Sequence, residues 1–229
     1  MRPIVLILVL FFLFFLLPRL FCGILPENAF SSDAAGTTGA VFLKNPPGAR
    51  FEAMGKGGLP LESAQSIFYN PAGMKSPFAS SLSFTYESML EGTSRSSLAY
   101  VKNLLGYSYG AGFLFWGSSL MKGYDIKGDF TSYFCSYDLA FYLGFSRRLR
   151  FADWGVNFKL IKSQISSEGG ASFAFDIGLI AKDKKPGGSD MGVAVRNLGP
   201  PIKLGSKSSP LPVEISVAFL NHYTSALDI

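Results

Sequence analysis

Residues 131–146 read TSYFCSYDLAFYLGFS, and the parity of this stretch decides the fold class. Tyr133, Cys135, Tyr137, Leu139, Phe141, Leu143 and Phe145 fall on one parity. Ser132, Phe134, Ser136, Asp138, Ala140, Tyr142, Gly144 and Ser146 fall on the other. Successive side chains of a strand point to opposite faces, so a sustained period of two predicts an extended strand. One of its faces is apolar; the other is small and polar apart from two aromatics.

The same period recurs on both sides. Trp154, Val156, Phe158 and Leu160 oppose Gly155, Asn157, Lys159 and a less typical Ile161. Phe173, Phe175, Ile177, Leu179 and Ala181 oppose Ser172, Ala174, Asp176, Gly178 and Ile180. Met191, Val193 and Val195 oppose Gly192, Ala194 and Arg196, and Val213, Ile215, Val217 and Phe219 oppose Glu214, Ser216 and Ala218. Upstream, 81–88, 96–102 and 107–117 are further candidates. The pattern predicts about eight or nine strands joined by Gly, Ser, Asp and Lys-rich turns such as 184–190. Composition agrees: Gly 25 and Phe 22 in 229 residues, with 16% charged, lean towards an all-β chain.

Two architectures share this alternation, a soluble β-sandwich and a membrane β-barrel. The polar parities are rich in Gly, Ala and Ser with few charges, and the apolar parities carry Phe and Leu along whole strands. Both features favour an antiparallel transmembrane β-barrel over a sandwich, whose outer face would carry more Lys and Glu. Residues 147–153 read as a short turn of the kind barrels place on one side of the membrane. The stretch 131–146 exceeds the roughly ten residues that cross a bilayer, so its Tyr133 end is expected to project beyond it. Tyr133, Tyr137 and Trp154 are assigned to an interfacial aromatic girdle.

Arg2 precedes an apolar run over 4–17 that Pro18 and Arg19 interrupt, a signal-peptide layout. Residues 1–23 are therefore read as a signal peptide, with an uncleaved anchor as the alternative. Bulky Leu20 and Phe21 argue against lipidation at Cys22. Later residues contain no second apolar run long enough for a spanning helix, so membrane contact would fall to strands. Removal of the leader leaves Cys135 without a disulfide partner. The net charge of +5 includes the leader's two arginines and the lysines are scattered, which gives nucleic-acid binding little support.

Between leader and strands, residues 24–79 show little alternation but carry Phe42-Leu43-Lys44, Gly48-Ala49-Arg50, Met54-Gly55 and Ser66-Ile67-Phe68-Tyr69-Asn70-Pro71-Ala72-Gly73-Met74. This ordered set resembles the N-terminal hatch of the PorV/PorQ family of FadL-like outer-membrane proteins. Tyr137-Asp138-Leu139-Ala140, Gly155-Val156-Asn157-Phe158-Lys159, Phe175-Asp176-Ile177-Gly178-Leu179 and Asn197-Leu198-Gly199-Pro200 continue the resemblance in the family's order, so that it spans most of the chain after Thr38. Asn-Pro-Ala-Gly alone is ordinary turn chemistry; the order is what is specific. Two departures stand out. Where the family usually carries an acidic pair before the alanine that precedes the aromatic, the stretch here reads Lys56-Gly57-Gly58-Leu59-Pro60-Leu61-Glu62-Ser63-Ala64-Gln65, which argues against a ligand or ion contact made by those acids. The family's fourteen-stranded barrel also exceeds the strand count here, which implies an incomplete barrel over 80–229.

The resemblance implies a protein of the cell outer membrane that passes hydrophobic small molecules such as long-chain fatty acids. A carrier of secreted protein cargo in type IX secretion and a structural or adhesive surface barrel are the alternatives. Gly48, Ala49, Arg50, Met54, Gly55, Asn70, Pro71, Ala72 and Gly73 are the hatch residues expected to gate a ligand. Asp138, Asn157, Lys159, Asp176 and Arg196 are the polar candidates expected to face the lumen, where they hydrate it, pair with one another or guide substrate. His222, the only histidine, has no nucleophile or acidic cluster at recognisable spacing. Paired Cys or His is missing, and 55–58 lacks the context of a phosphate loop, so neither enzyme activity, a metal nor a cofactor is expected.

Overall fold

A computed structural model describes residues 36–149, 152–183 and 188–221. The signal-peptide reading of 1–23 and His222 fall outside the described residues. The alternating stretches form β1 (Ser80–Ser88), β2 (Ser94–Leu104), β3 (Tyr107–Gly117), β4 (Met121–Tyr124), β5 (Phe130–Phe134), β6 (Ser136–Arg148), β7 (Asp153–Ile165), β8 (Glu168–Ala181), β9 (Ser189–Leu198), β10 (Ile202–Leu204), β11 (Lys207–Ser209) and β12 (Glu214–Asn221). Eight of them make one antiparallel sheet in the order β1-β2-β3-β6-β7-β8-β9-β12. The chain is mostly antiparallel β, and no helix among the described residues is long and apolar enough to cross a membrane. Within the described residues β1 pairs only with β2 and β12 only with β9, so the sheet is open.

Turn chemistry fixes the registers. Leu105 and Gly106 both take positive φ, 49° and 82°, the backbone of a two-residue hairpin turn whose twist matches its strands. That turn sets Leu104 opposite Tyr107, and the pairing runs without a shift to Ser94 opposite Gly117. One end of the sheet carries this turn and the short link from β6 to β7, where the Leu149 amide donates to the Ala152 carbonyl at 3.2 Å. The opposite end carries the longer excursions, a β4–β5 ribbon between β3 and β6 and a β10–β11 ribbon between β9 and β12.

Residues 131–146 are not one strand. The chain breaks at Cys135: β5 pairs with β4 in the ribbon, and β6 begins at Ser136 in the sheet. Ser118 and Ser136 tie the ribbon's neck, since the Ser118 amide donates to the Ser136 carbonyl at 2.9 Å and the Ser136 amide donates to Ser118 Oγ at 2.9 Å. The Tyr133 end therefore leaves the sheet by changing partners.

Burial along the strands is opposite to that of a protein folded around an oily core. In β7 the buried residues are Asp153, Gly155, Asn157, Lys159, Ile161 and Ser163, while Val156, Leu160 and Lys162 are exposed. In β8 Asp176 is buried between exposed Phe175 and Ile177. Register links Phe84, Leu98, Phe113, Phe141, Leu160 and Phe173 into one row across six strands, and all six are exposed; Leu160 is 52% and Phe173 44% exposed. Aromatic and cationic residues bracket this bare face. At the short-turn end Arg147 stacks over Tyr107 at 5.0 Å and Trp154 lies 5.6 Å from Phe145; at the other, Lys162 lies 5.7 Å from the Tyr137 ring.

The opposite face is covered by residues 36–79, a run of short helical turns (Val41–Lys44, Ala64–Phe68 and Pro71–Gly73) and one five-residue helix, α1 (Ala49–Ala53). Phe42, Leu43, Phe51, Leu59, Ile67, Phe68, Tyr69 and Met74 from this segment join Val101, Leu114, Tyr142 and Ile161 from the sheet in the core. The hydrophobic core thus lies between a plug and a sheet whose own apolar residues mostly point away from it.

Candidate functional site

The site begins with missing side chains. On the covered face Ser146 stands opposite Gly155, Gly155 opposite Gly178 and Gly178 opposite Ala194, with Gly110 and Gly144 paired in the next row. This small-residue trough seats the Asn70–Gly73 turn. A methyl at Gly155 would overlap the Pro71 carbonyl, and one at Gly178 would overlap Asn70 Oδ1. Gly110 and Gly144 leave room for the Met74 thioether. Pro71 starts the turn with its φ already set, and Asn70 caps it by accepting the Ala72 amide at 3.1 Å. The Asn70 amide group donates to the Leu59 carbonyl at 2.9 Å and to the Leu179 carbonyl at 3.3 Å, joining plug to strand.

Beside this seat lies a buried charged network. Lys159 and Asp176, each 1% exposed, pair at 2.7 Å. Asp176 also accepts the Asn197 amide at 2.8 Å, where a register shift in the β8–β9 pairing puts Asn197 at φ 65°. Asn tolerates that left-handed backbone, and the carboxylate takes up the N–H that the bulge frees from the ladder. Lys159 donates to Asn197 Oδ1 as well and lies 5.0 Å from the Tyr142 ring. Arg196 donates to the Phe68 carbonyl at 3.0 Å and pairs with Glu214 at 2.8 Å; Asn157 donates to the Ile67 carbonyl at 2.6 Å. Arg196 Nε and Asn157 Oδ1 are buried without a hydrogen-bond partner among the described residues, which leaves one donor and one acceptor spare.

Charged clasps hold the plug at both ends. At the short-turn end Glu62 pairs with Lys182, with Arg148 at 3.0 Å and with Lys75 at 3.4 Å, while Lys75 also pairs with Asp153. Burial alone would push the Glu62 carboxyl up, but Lys182, Lys75 and Arg148 together outweigh it and hold the group at about 2. Burial lowers Lys75, and Asp153 opposes that shift. At the other end Arg95 pairs with Glu87 of β1 and at 2.5 Å with Glu52 of α1, and donates to the Asn45 carbonyl at 3.2 Å. Between the clasps Tyr69 stacks on Phe51 at 4.1 Å and donates to the Pro46 carbonyl at 2.6 Å. Burial, the largest cause, pushes the Tyr69 hydroxyl well above its ordinary value, so it stays a donor.

The structure brings Asn70, Pro71, Ala72 and Gly73 together with Asn157, Lys159, Asp176 and Arg196. Asp138 is on the same face but stands opposite Trp116 and Ser163, about 13 Å of strand from the Tyr142 row at roughly 3.3 Å per residue. Gly48 is buried beside Tyr69, whereas Ala49, Arg50, Met54 and Gly55 are exposed and do not line the trough. No protein-family model matches the chain, and no curated protein matches it. Lys75, Arg148, Asp153 and Lys182 are site contacts that no strand parity or motif marks, and Asn197 and Glu214, visible in the sequence only as parts of a motif and a strand, enter the charged network through side-chain pairing. Glu62, the one acid between Lys56 and Gln65, is the hub of a clasp. Among the described residues no cluster of three His, Cys, Asp or Glu is placed to hold a metal.

Proposed function

We propose that the chain is a non-catalytic outer-membrane protein, part of a FadL-like β-barrel whose residues 36–79 belong to the hatch, and that it passes hydrophobic small molecules such as long-chain fatty acids. The observation that carries the membrane part is the inverted burial of β6, β7 and β8: Phe and Leu bare, Asp, Lys and Asn covered. In water the bare face is an aggregation surface; in hydrocarbon each of its large side chains contributes about 1.5–3 kcal/mol on burial. From Trp154 to Lys162 the bare face of β7 spans about 26 Å of strand at roughly 3.3 Å per residue. Tilted by about 40°, that gives about 20 Å of height, close to the apolar band of roughly 25 Å in outer-membrane barrels. Tyr107 and Trp154 at one end and Tyr137 at the other suit the two girdles. By loop length the short-turn end is periplasmic and the ribbons are outside.

The transport part rests on the hatch resemblance and on the seat of Asn70–Gly73 against the charged network, where a moving hatch would open a path. Flux of a labelled fatty acid into proteoliposomes tests it. Flux that Gly73→Val alters while the sheet stays folded supports passage, and no flux above protein-free vesicles ends it. A second reading, a carrier of secreted protein, is favoured by the β4–β5 ribbon, whose Tyr124, Phe130 and Tyr133 stand exposed beyond the sheet. Recovery of exported cargo after crosslinking through the ribbon would favour that reading instead.

A further inference from the structure

At the short-turn end, next to the Glu62 clasp, a recess of about 230 Å³ opens between the plug and the β2–β3 turn. Lys75, Ser76, Asn103, Ser108 and Arg148 form its polar side, and Leu104, Leu105 and Tyr107 its rim. The charges there do not cancel. Among the described residues Lys75, Arg148 and Lys182 pair with Glu62 and Asp153, three cations to two carboxylates, and Glu62 is shared by all three. Among the described residues one Arg148 side-chain N–H is engaged, on Glu62 at 3.0 Å, and the side chain is 60% exposed, which leaves the rest of its guanidinium fork open to an oxyanion. Other polar groups are already committed: the Asn103 amide group donates to the Ser76 and Phe78 carbonyls at 2.7 and 2.9 Å, and Ser108 donates to Asn103 Oδ1 at 2.9 Å. The rim is apolar where it meets the bare face. Leu105 is 90% exposed at the turn tip, and Leu104 is exposed beside it.

We propose that this recess binds the oxyanion head of a long-chain amphiphile, a carboxylate or a phosphate, with Arg148 and Lys75 as counter-cations and the chain lying over Leu104, Leu105 and Tyr107. A cationic floor bordered by apolar residues fits neither a free anion, which has no use for the rim, nor a neutral lipid, which leaves the excess charge unmatched. The proposal rests on the membrane reading above and places an amphiphile site at the short-turn mouth of the hatch.

Titration of the full chain in zwitterionic micelles with decanoate, dodecyl phosphate, decanol and inorganic phosphate tests it, followed by calorimetry. Both chain-bearing anions are expected to bind at least tenfold more tightly than decanol and inorganic phosphate, and Arg148→Gln to weaken them about tenfold. Decanoate binding alone assigns the site to fatty-acid heads, and dodecyl phosphate alone to lipid heads. Because Lys75 is buried against Asp153, Lys75→Gln can unfold the plug; Arg148→Gln and Leu105→Ser, both at exposed positions, keep the test decisive. Binding unchanged by both, or equal binding of inorganic phosphate and dodecyl phosphate, overturns the proposal. Flux in proteoliposomes separates the two claims: binding without flux removes the transport reading and leaves the site, and flux without binding does the reverse.

Discussion

The two faces of β7 are built from adjacent residues yet obey opposite rules. On the covered face Asp153, Gly155, Asn157, Lys159, Ile161 and Ser163 are buried; on the bare face Val156 and Leu160 are exposed, and Trp154 and Phe158 are half-buried against neighbouring rings of the same face. The covered face is held by directional contacts, each with a named partner: Lys159 on Asp176, Asn157 on Ile67, Gly155 under Pro71. The bare face has row after row of interchangeable apolar bulk. Specificity therefore resides where the strand is polar, and the apolar side sets only which solvent the sheet tolerates.

The largest expected effect strikes the covered face. Lys159→Met leaves Asp176 charged and buried without its cation and should cost about 3–5 kcal/mol, read as a lower urea midpoint in micelles. Next comes the bare face. Leu160→Arg should cost about 2–4 kcal/mol when the sheet is in lipid and close to nothing if that face meets water, so equal stability of variant and parent in liposomes breaks the membrane reading. Gly155→Ala is smaller in chemistry but pushes on the Pro71 backbone; a loss of about 1–3 kcal/mol and faster proteolysis within 36–79 are expected, with the sheet's circular dichroism retained.

The smallest effect concerns pH. Glu62 is held at about 2 against an ordinary value of 4.5. Its folded value is depressed, so its contribution is present above the unfolded value and is lost as pH falls towards 2. Protease resistance of the plug should be flat from pH 7 to about 5 and fall below about 4.5, and Glu62→Gln should lower it at neutral pH and remove that step. A parent whose plug loosens at pH 6 would mean that another group closes the clasp.

Much of this comparison is legible in the sequence, because a strand's parity exposes its two faces whichever one is buried. Asn157, Lys159, Asp176 and Arg196 share the polar parity and meet in one network. Parity cannot report a change of partner. Tyr133, Cys135 and Tyr137 keep the same alternation through the point where β5 leaves for β4, so the break at Cys135 is invisible to it. Nor does parity carry distance. Glu62 meets Arg148 and Lys182 from 86 and 120 residues away in the chain, and Asn197 is drawn in by a bulge that shifts register between β8 and β9. These contacts depend on tertiary placement, which local spacing does not encode.

The glycine seat also orders events in time. Its floor comes from β3, β6, β7 and β8, while the segment it receives lies ahead of all of them in the chain; Asn70 reaches Leu179 and Phe68 reaches Arg196. A part synthesised before any of these strands is thus among the last that can settle. Until β8 is laid down, residues 36–79 must wait with Phe51, Phe68 and Met74 uncovered. Contacts this distant in sequence make folding slow and the waiting state prone to aggregate, so the chain's assembly should depend on a holding factor well before its stability becomes the limiting concern.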